Sequence, residues 1–376
     1  GDYNDYTGFL SLSNLFEEKL LSGNYQDLVN ECLYLAYMGN NTEDRADELL
    51  CMIKNMEACQ VSLENLLQMG NEELPEVDAF LPLWIERLGC QNGKLADELL
   101  QEALSLIGDN AFLLENARKY ADAHPNLYLQ LLEKNLDTDE ASHMLDVGME
   151  ALARIPDKYR VRAKIALLTA VYAERTEATE EQERCWLEAF RSDTTVVNYL
   201  RLRFETRNWQ QYRAEAREIL EMQHKNTGKY QGCSIWESEA FRKNELTEEA
   251  YCTMLFFEQD FEKMKEVGMN QKESLGWSST FMKEGIAFML LLLNQGESFP
   301  KDLRDMKRRA VSACRIQTGR YNYEADSYVE ETNSEINEPL FWKFFLKWKE
   351  DVVFTPEEKQ KWIRRIDTWI YDRVQA

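Results

Sequence analysis

Turn formers are scarce in this sequence, with 16 glycines and 7 prolines among 376 residues. A β-sandwich or barrel takes a turn roughly every 8–12 residues, and so thin a supply argues against one. Histidine is scarcer, at three, and the eight cysteines (32, 51, 59, 90, 185, 233, 252 and 314) form no C-x-x-C pair. Zinc-ribbon and dithiol spacings are therefore missing, and thiols scattered through apolar helical patterns read as reduced core residues. That usage suits a reducing cytoplasm. The apolar stretch Phe288 to Leu293 falls far short of the roughly 18 residues of a membrane helix. Nucleophile-elbow, phosphate-loop, dinucleotide-fingerprint and H-E-x-x-H motifs are absent. No secretory leader is visible, and the start at Gly1 instead of Met leads us to expect a segment of a longer protein.

What the chain does hold is helix-forming material. Its hydrophobic content of 44% suffices for a packed core, and Leu, Glu, Ala and Lys abound, which points to an all-α fold. The formal charge of −23 is concentrated rather than spread. Residues 1–150 carry 29 acidic and 8 basic side chains, against 38 and 36 in the remainder. Bulk electrostatics turns nucleic acid away from the first part.

The stretch Ala151 to Ala189 reads as one helix pair, with an inner helix over Lys158 to Ala173, a turn at Thr176 to Thr179, and a return helix ending in Trp186 to Phe190. The inner helix has two apolar stripes, Tyr159, Ala163, Ala166, Ala170 and Val161, Ile165, Leu168, Tyr172, so it must be covered on two sides. Small-bulky-small triplets recur at Ala96, Leu100, Ala103, at Met144, Gly148, Ala151, and at Gln182, Trp186, Ala189. At the start, Gly23-Asn24-Tyr25 forms a turn before Leu28, Cys32 and Leu35, whose spacing predicts a face packed on the preceding helix. Further helices are expected near 43–58, 60–69 and 80–88, then from Val196 to Phe204 and from Trp209 to Met222. Lys225 to Gly228 is a break, which divides the chain into residues 1–226 and 229–376. Beyond it, Gln259-Asp260-Phe261 forms another polar-aromatic turn, Gly268 is expected to close the helix that follows, and apolar helices are expected over 279–294 and 299–316. A polar loop follows at 317–335, and Thr355-Pro356-Glu357-Glu358 has the form of a capping box. Trp342, Trp348, Trp362 and Trp369 on the last helices suggest a hydrophobic cap.

The Gly-polar-aromatic turn and the recurring triplets of the first 220 or so residues resemble tetratricopeptide repeats. That resemblance implies an irregular right-handed superhelix of helix pairs, a solenoid, with a non-repeat helical C-terminal cap. The segments AFRSD, NYLRLR and TPEEKQKWIRRIDTW are similar to the helical region accompanying SWIM-type zinc fingers, without the finger's own C-x-C and C-x-H. This second resemblance implies an accessory region that binds no metal.

Two E-x-x-H elements, Glu140 with His143 and Glu221 with His224, place carboxylate and imidazole on one helix face. Such pairs, completed by one Glu from each of two further helices (Glu102 and Glu188 here), build carboxylate-bridged di-metal sites. Their positions at a helix start and a helix end are also those the helix dipole favours, so the metal reading is an alternative rather than the main expectation. An (α/α)-barrel hydrolase fits the length, but 67 acidic residues leave its carboxylate pair unspecified. Lys301, Arg304, Arg308 and Arg315 share a basic helical face, with Lys307, Arg309 and Arg320 nearby, and Tyr199, Arg201 and Arg203 could line a groove. The main expectation is a non-enzymatic, cofactor-free cytoplasmic scaffold that binds a protein or peptide segment through a concave groove. An accessory region of a nucleic-acid-associated protein is the other alternative.

Overall fold

A computed structural model describes residues 12–55, 61–69, 73–157, 159–226, 246, 248–270, 320–322 and 327–329, with scattered positions between 351 and 364. The described residues are helical apart from one small hairpin, and none of their helices is long and apolar enough to cross a membrane. They form two compact units, one up to Ser192 and the other from Asp193 on. The helices from Val196 and Trp209, grouped with the early repeats on sequence, thus belong to the second unit.

The first unit holds α1 (Leu12–Glu17), α2 (Tyr25–Gly39), α3 (Thr42–Asn55), α4 (Leu63–Leu67), α5 (Val77–Gly89), α6 (Lys94–Ile107), α7 (Asn110–Lys119), α8 (Asn126–Lys134), α9 (Ala141–Arg154), α10 (Val161–Arg175) and α11 (Thr179–Ser192). Chain neighbours pack as hairpins, most extensively α9 on α10 and α10 on α11. Alternate helices also touch, so that α2, α4, α6, α8 and α10 form one layer in which each meets the next. Hydrogen bonds fix direction within it. Asn126 reaches Asp97, Gln130 reaches the Gln101 carbonyl and Ser105, and Lys134 reaches the Gly108 carbonyl, so α6 and α8 run parallel. Tyr159 to the Asp122 carbonyl and Tyr172 to the Leu132 carbonyl set α10 parallel to α8 in the same way.

The inner helix α10 is covered on two sides, as its stripes require, by α9 and α11, and it also meets α8. Ile165, Ala166, Tyr172 and Ala173 have no exposed surface. Gly148 of α9 makes that packing possible: a Cβ there would lie 2.1 Å from Oγ1 of Thr169 on α10. Gly89 plays the same part beside the Tyr120 ring. Both are placed by the backbone's need to approach a neighbour closely.

Three sequence expectations change. On α2 the buried face is Val29, Leu33 and Tyr37, while Leu35 is 61% exposed, so the Leu28, Cys32, Leu35 stripe lies away from the core. Helix α5 begins at Val77 and runs through Pro82, which lies past the first turn and leaves the Asp78 carbonyl without its internal partner. The triplets ending at Ala103 and Ala151 are not equivalent, since α6 and α9 belong to different layers, whereas Ala151 and Ala189 are two helices apart.

The second unit contains α12 (Val196–Glu205), α13 (Trp209–Asn226), α14 (Glu248–Glu258) and α15 (Phe261–Asn270), with α12 and α13 both against α14. The turn at Gln259-Asp260-Phe261 is realised, with Gln259 at φ +63° and Asp260 accepting from the Lys263 amide. Helix α15 continues past Gly268 instead of closing there. Within the expected 317–335 loop, β1 (Arg320–Asn322) pairs antiparallel with β2 (Ser327–Val329). The capping box closes as read: the Thr355 amide donates to Glu358 and the Glu358 amide to Thr355 Oγ1. The helices expected over 279–294 and 299–316 and the four C-terminal tryptophans lie outside the described residues.

Gly148→Ala is expected to cost about 1–2 kcal/mol, because overpacking against Thr169 outweighs the roughly 1 kcal/mol that alanine gains in a helix. Urea unfolding of Gly148→Ala, Thr169→Ala and the double variant tests this. Strictly additive losses would show that the contact is not the cause.

Candidate functional site

The polar side chains that could do chemistry are held in separate clusters. In the first unit His124 is fully buried, with Nδ1 3.2 Å from Asp97 Oδ1. Asn126 and Gln101 donate to the other Asp97 oxygen, which keeps this buried carboxylate supplied with partners. The sequence reading passed over this pair. Its signal was an aspartate on an apolar helix face, since Asp97, Leu100 and Leu104 are spaced three and four apart and all buried.

Glu150 at the end of α9 receives both arms of the Arg118 guanidinium, at 2.8 and 2.7 Å, together with Arg154 and the Tyr128 hydroxyl. The Arg118 hydrogen bonds hold its carboxyl down at about 2, helped by the Tyr128 bond and opposed by partial burial. Cys185 sits beside Met149, and burial pushes its thiol up to about 12, a core thiol rather than a nucleophile.

In the second unit Glu258 is buried between Arg203 and Arg213, at 2.9 and 3.0 Å, and accepts from the Tyr199 hydroxyl. Burial drives Tyr199 well above the usual phenol range. Arg203 also stands 5.2 Å from the centre of the Trp209 ring. Tyr199 is therefore inside the unit, and the charge of Arg203 is directed inward, because a buried carboxylate needs a countercharge. Arg201 is half-buried and donates to Asn198. The expected groove of Tyr199, Arg201 and Arg203 is instead largely a packing element.

The metal nominees are dispersed in the same manner. Glu140 and His143 are exposed at the start of α9. Glu221 pairs with Lys263, and His224 stacks on Tyr251 with ring centres 3.7 Å apart. Glu102 accepts from Ser62 Oγ and from the Leu63 and Glu64 amides, closing the start of α4, and Glu188 binds Arg162 and Arg191. Among the described residues no three His, Cys, Asp or Glu side chains come together as metal ligands would. Lys301, Arg304, Arg308 and Arg315 lie outside the described residues.

No protein-family model, curated protein or solved structure matches this chain.

Glu150→Gln is expected to lower stability at pH 7 by about 1 kcal/mol, given the exposure of Arg118. The folded carboxyl titrates near 2 and the free one near 4.5, so the contribution is full above 4.5 and lost as pH falls toward 2. Urea midpoints of both proteins at pH 7, 4 and 2.5 should converge. A gap unchanged at the lowest pH would contradict the assignment.

Proposed function

We propose that the chain is a non-enzymatic interaction module, an irregular solenoid of tetratricopeptide-like helix pairs that binds a protein segment in a reducing cytoplasm. The observation that carries this is the layer of alternate helices, with its parallel α6, α8 and α10, in the first unit. Several side-chain ties across the unit share a separation, Tyr37 to the Pro75 carbonyl spanning 38 residues, Tyr159 to Asp122 37, Tyr172 to Leu132 40 and Lys54 to Gln91 37, while those between α6 and α8 span 25–29 and mark a shorter step. A recurrent separation is what repeated helix pairs produce, and it agrees with the 38 residues from Ala151 to Ala189 rather than the roughly 34 of the standard repeat. Stacked pairs offer an extended face with side chains from several helices, suited to a long segment.

Selection of a random peptide display library on the immobilised protein tests this reading. Related sequences should be enriched and should compete with one another as free peptides. Enrichment no greater than on an unrelated protein of similar acidity would refute it.

A further inference from the structure

The large exposed apolar side chains of the first unit are unevenly distributed. Among its described residues they are Leu12, Leu20 and Leu21 in and after α1, Leu35 and Met38 on α2, Leu106 on α6 and Val171 on α10. Helices α3, α5, α7, α9 and α11 expose smaller apolar groups such as Cys51, Ala79, Ala111 and Ala153 but no large one among the described residues. Beyond α1, every large exposed one therefore belongs to the layer α2, α4, α6, α8, α10. All four layer residues lie toward the C-terminal ends of their helices, and because α6 and α10 both run parallel to α8, Leu106 and Val171 stand at the same end of the layer. Half-buried apolar residues occur in both layers, Leu67 and Leu129 in this one and Met52, Leu83, Phe112, Leu145 and Trp186 in the other, so it is full exposure that sets this layer apart.

Exposed carboxylates occur on both layers, with Glu43, Asp44, Asp47 and Glu48 on α3, and within the layer of the apolar anchors they gather on α2 and α4. On α2, Asp27, Glu31, Leu35 and Met38 follow at intervals of four, four and three and form one outward stripe, carboxylates first and apolar groups after. Glu64 on α4 and Glu133 on α8 are exposed as well. Lys94 pairs with Glu98, while Lys134 and Arg175 are exposed and bond to neutral carbonyls, so they keep their charge toward the α8 and α10 end. Lys164 on α10 is exposed, so the acidity weakens toward that end.

We infer, resting on the interaction reading above, that this layer is the binding face, that Leu35, Met38, Leu106 and Val171 are its apolar anchors, and that its partner is a basic protein segment with regularly spaced apolar residues. Basic residues on the partner meet the carboxylates, and apolar ones cover the anchors, which is how a few central contacts carry affinity while charge steers approach. A second copy of the chain would bring like charges together, and a nucleic-acid backbone would be repelled.

The test is fluorescence anisotropy with a labelled synthetic 18-residue peptide of Leu and Lys at helical spacing, and a counterpart with Glu in place of Lys. The Lys peptide should bind with micromolar affinity and the Glu peptide at least tenfold more weakly. Leu35→Gln with Met38→Gln, Leu106→Gln and Val171→Gln, none of which changes charge, should each weaken binding at least threefold. Met222→Gln, at an exposed methionine of α13, should leave it unchanged. Thermal unfolding of each variant checks that it folds, and sedimentation checks self-association. Equal binding of both peptides, or Lys-peptide binding indifferent to all the layer substitutions, or a stable dimer blocked by them, would overturn this inference. The interaction reading would survive any of these if the display selection still yields binders, and falls only if that selection is empty.

Discussion

Each α-helix leaves its last main-chain carbonyls without internal partners, and close stacking of helices takes those carbonyls away from water. The first unit depends on how this is met. Arg162, with 4% of its surface exposed, reaches back from α10 to the Leu152 and Ile155 carbonyls at the end of α9. Arg45 does the same from α3 for the Tyr37 carbonyl of α2 and also binds the Pro75 carbonyl, while Arg175 serves Leu136 and Thr138. Tyrosine hydroxyls supply the Leu132 carbonyl at the end of α8 and the Pro75 and Asp122 carbonyls of the segments leading into α5 and α8. Where no long side chain arrives, a local one folds back four residues: Asn40 to Ala36, Asn55 to Cys51, Asn135 to Leu131, Thr176 to Tyr172. Unmet carbonyls in such stacks would cost about 1–3 kcal/mol each.

This constraint shapes the surface as well as the interior. A guanidinium turned inward to helix ends is withdrawn from the outer electrostatics, although its formal charge remains in the count. Residues 1–150 have only 8 basic side chains, and Arg45, Arg87 and Arg118 among them are tied to carboxylates within the unit. Exposed carboxylates remain on both layers, among them Asp27, Glu31, Glu64 and Glu133 on one and Glu43, Asp44, Glu48, Asp78 and Glu86 on the other.

Periodicity marked α10 as a helix covered on two sides, because burial on two sides leaves two stripes, but it marked no helix over 110–134, where α7 and α8 lie. It was less able to choose between adjacent stripes. On α2, Leu28, Cys32, Leu35 and Val29, Leu33, Tyr37 both satisfy a helical spacing, and only the neighbouring α3 and α4 decide for the second. The capping box at Thr355 and the turn at Gln259 were legible because their chemistry is local. Asp97 with His124, Tyr199 with Glu258 and Glu102 with the start of α4 join residues 27, 59 and about 40 positions apart, and sequence spacing carries no record of such meetings. A charge on an apolar face, as at Asp97, shows that a partner is required without saying which.

The unequal intervals between the triplets have the same origin. Ala103 to Ala151 spans 48 residues because the path from α6 to α9 crosses three helices and changes layer, while Ala151 to Ala189 crosses two and returns to the same one. Small residues are wanted wherever two helices approach closely, in either layer, so a small-bulky-small triplet marks an interface rather than a position in a repeat. Side-chain ties that join one helix to the next in its own layer measure the true step. Those from Tyr159, Tyr172 and Arg175 span 37, 40 and 37–39 residues. That range holds between α8 and α10, and Lys54 of α3 to Gln91 just after α5 gives 37 in the other layer. Between α6 and α8, neighbours in the same layer, the ties span only 25–29 residues, so the irregularity read from the sequence belongs to the helices as well as to the marker.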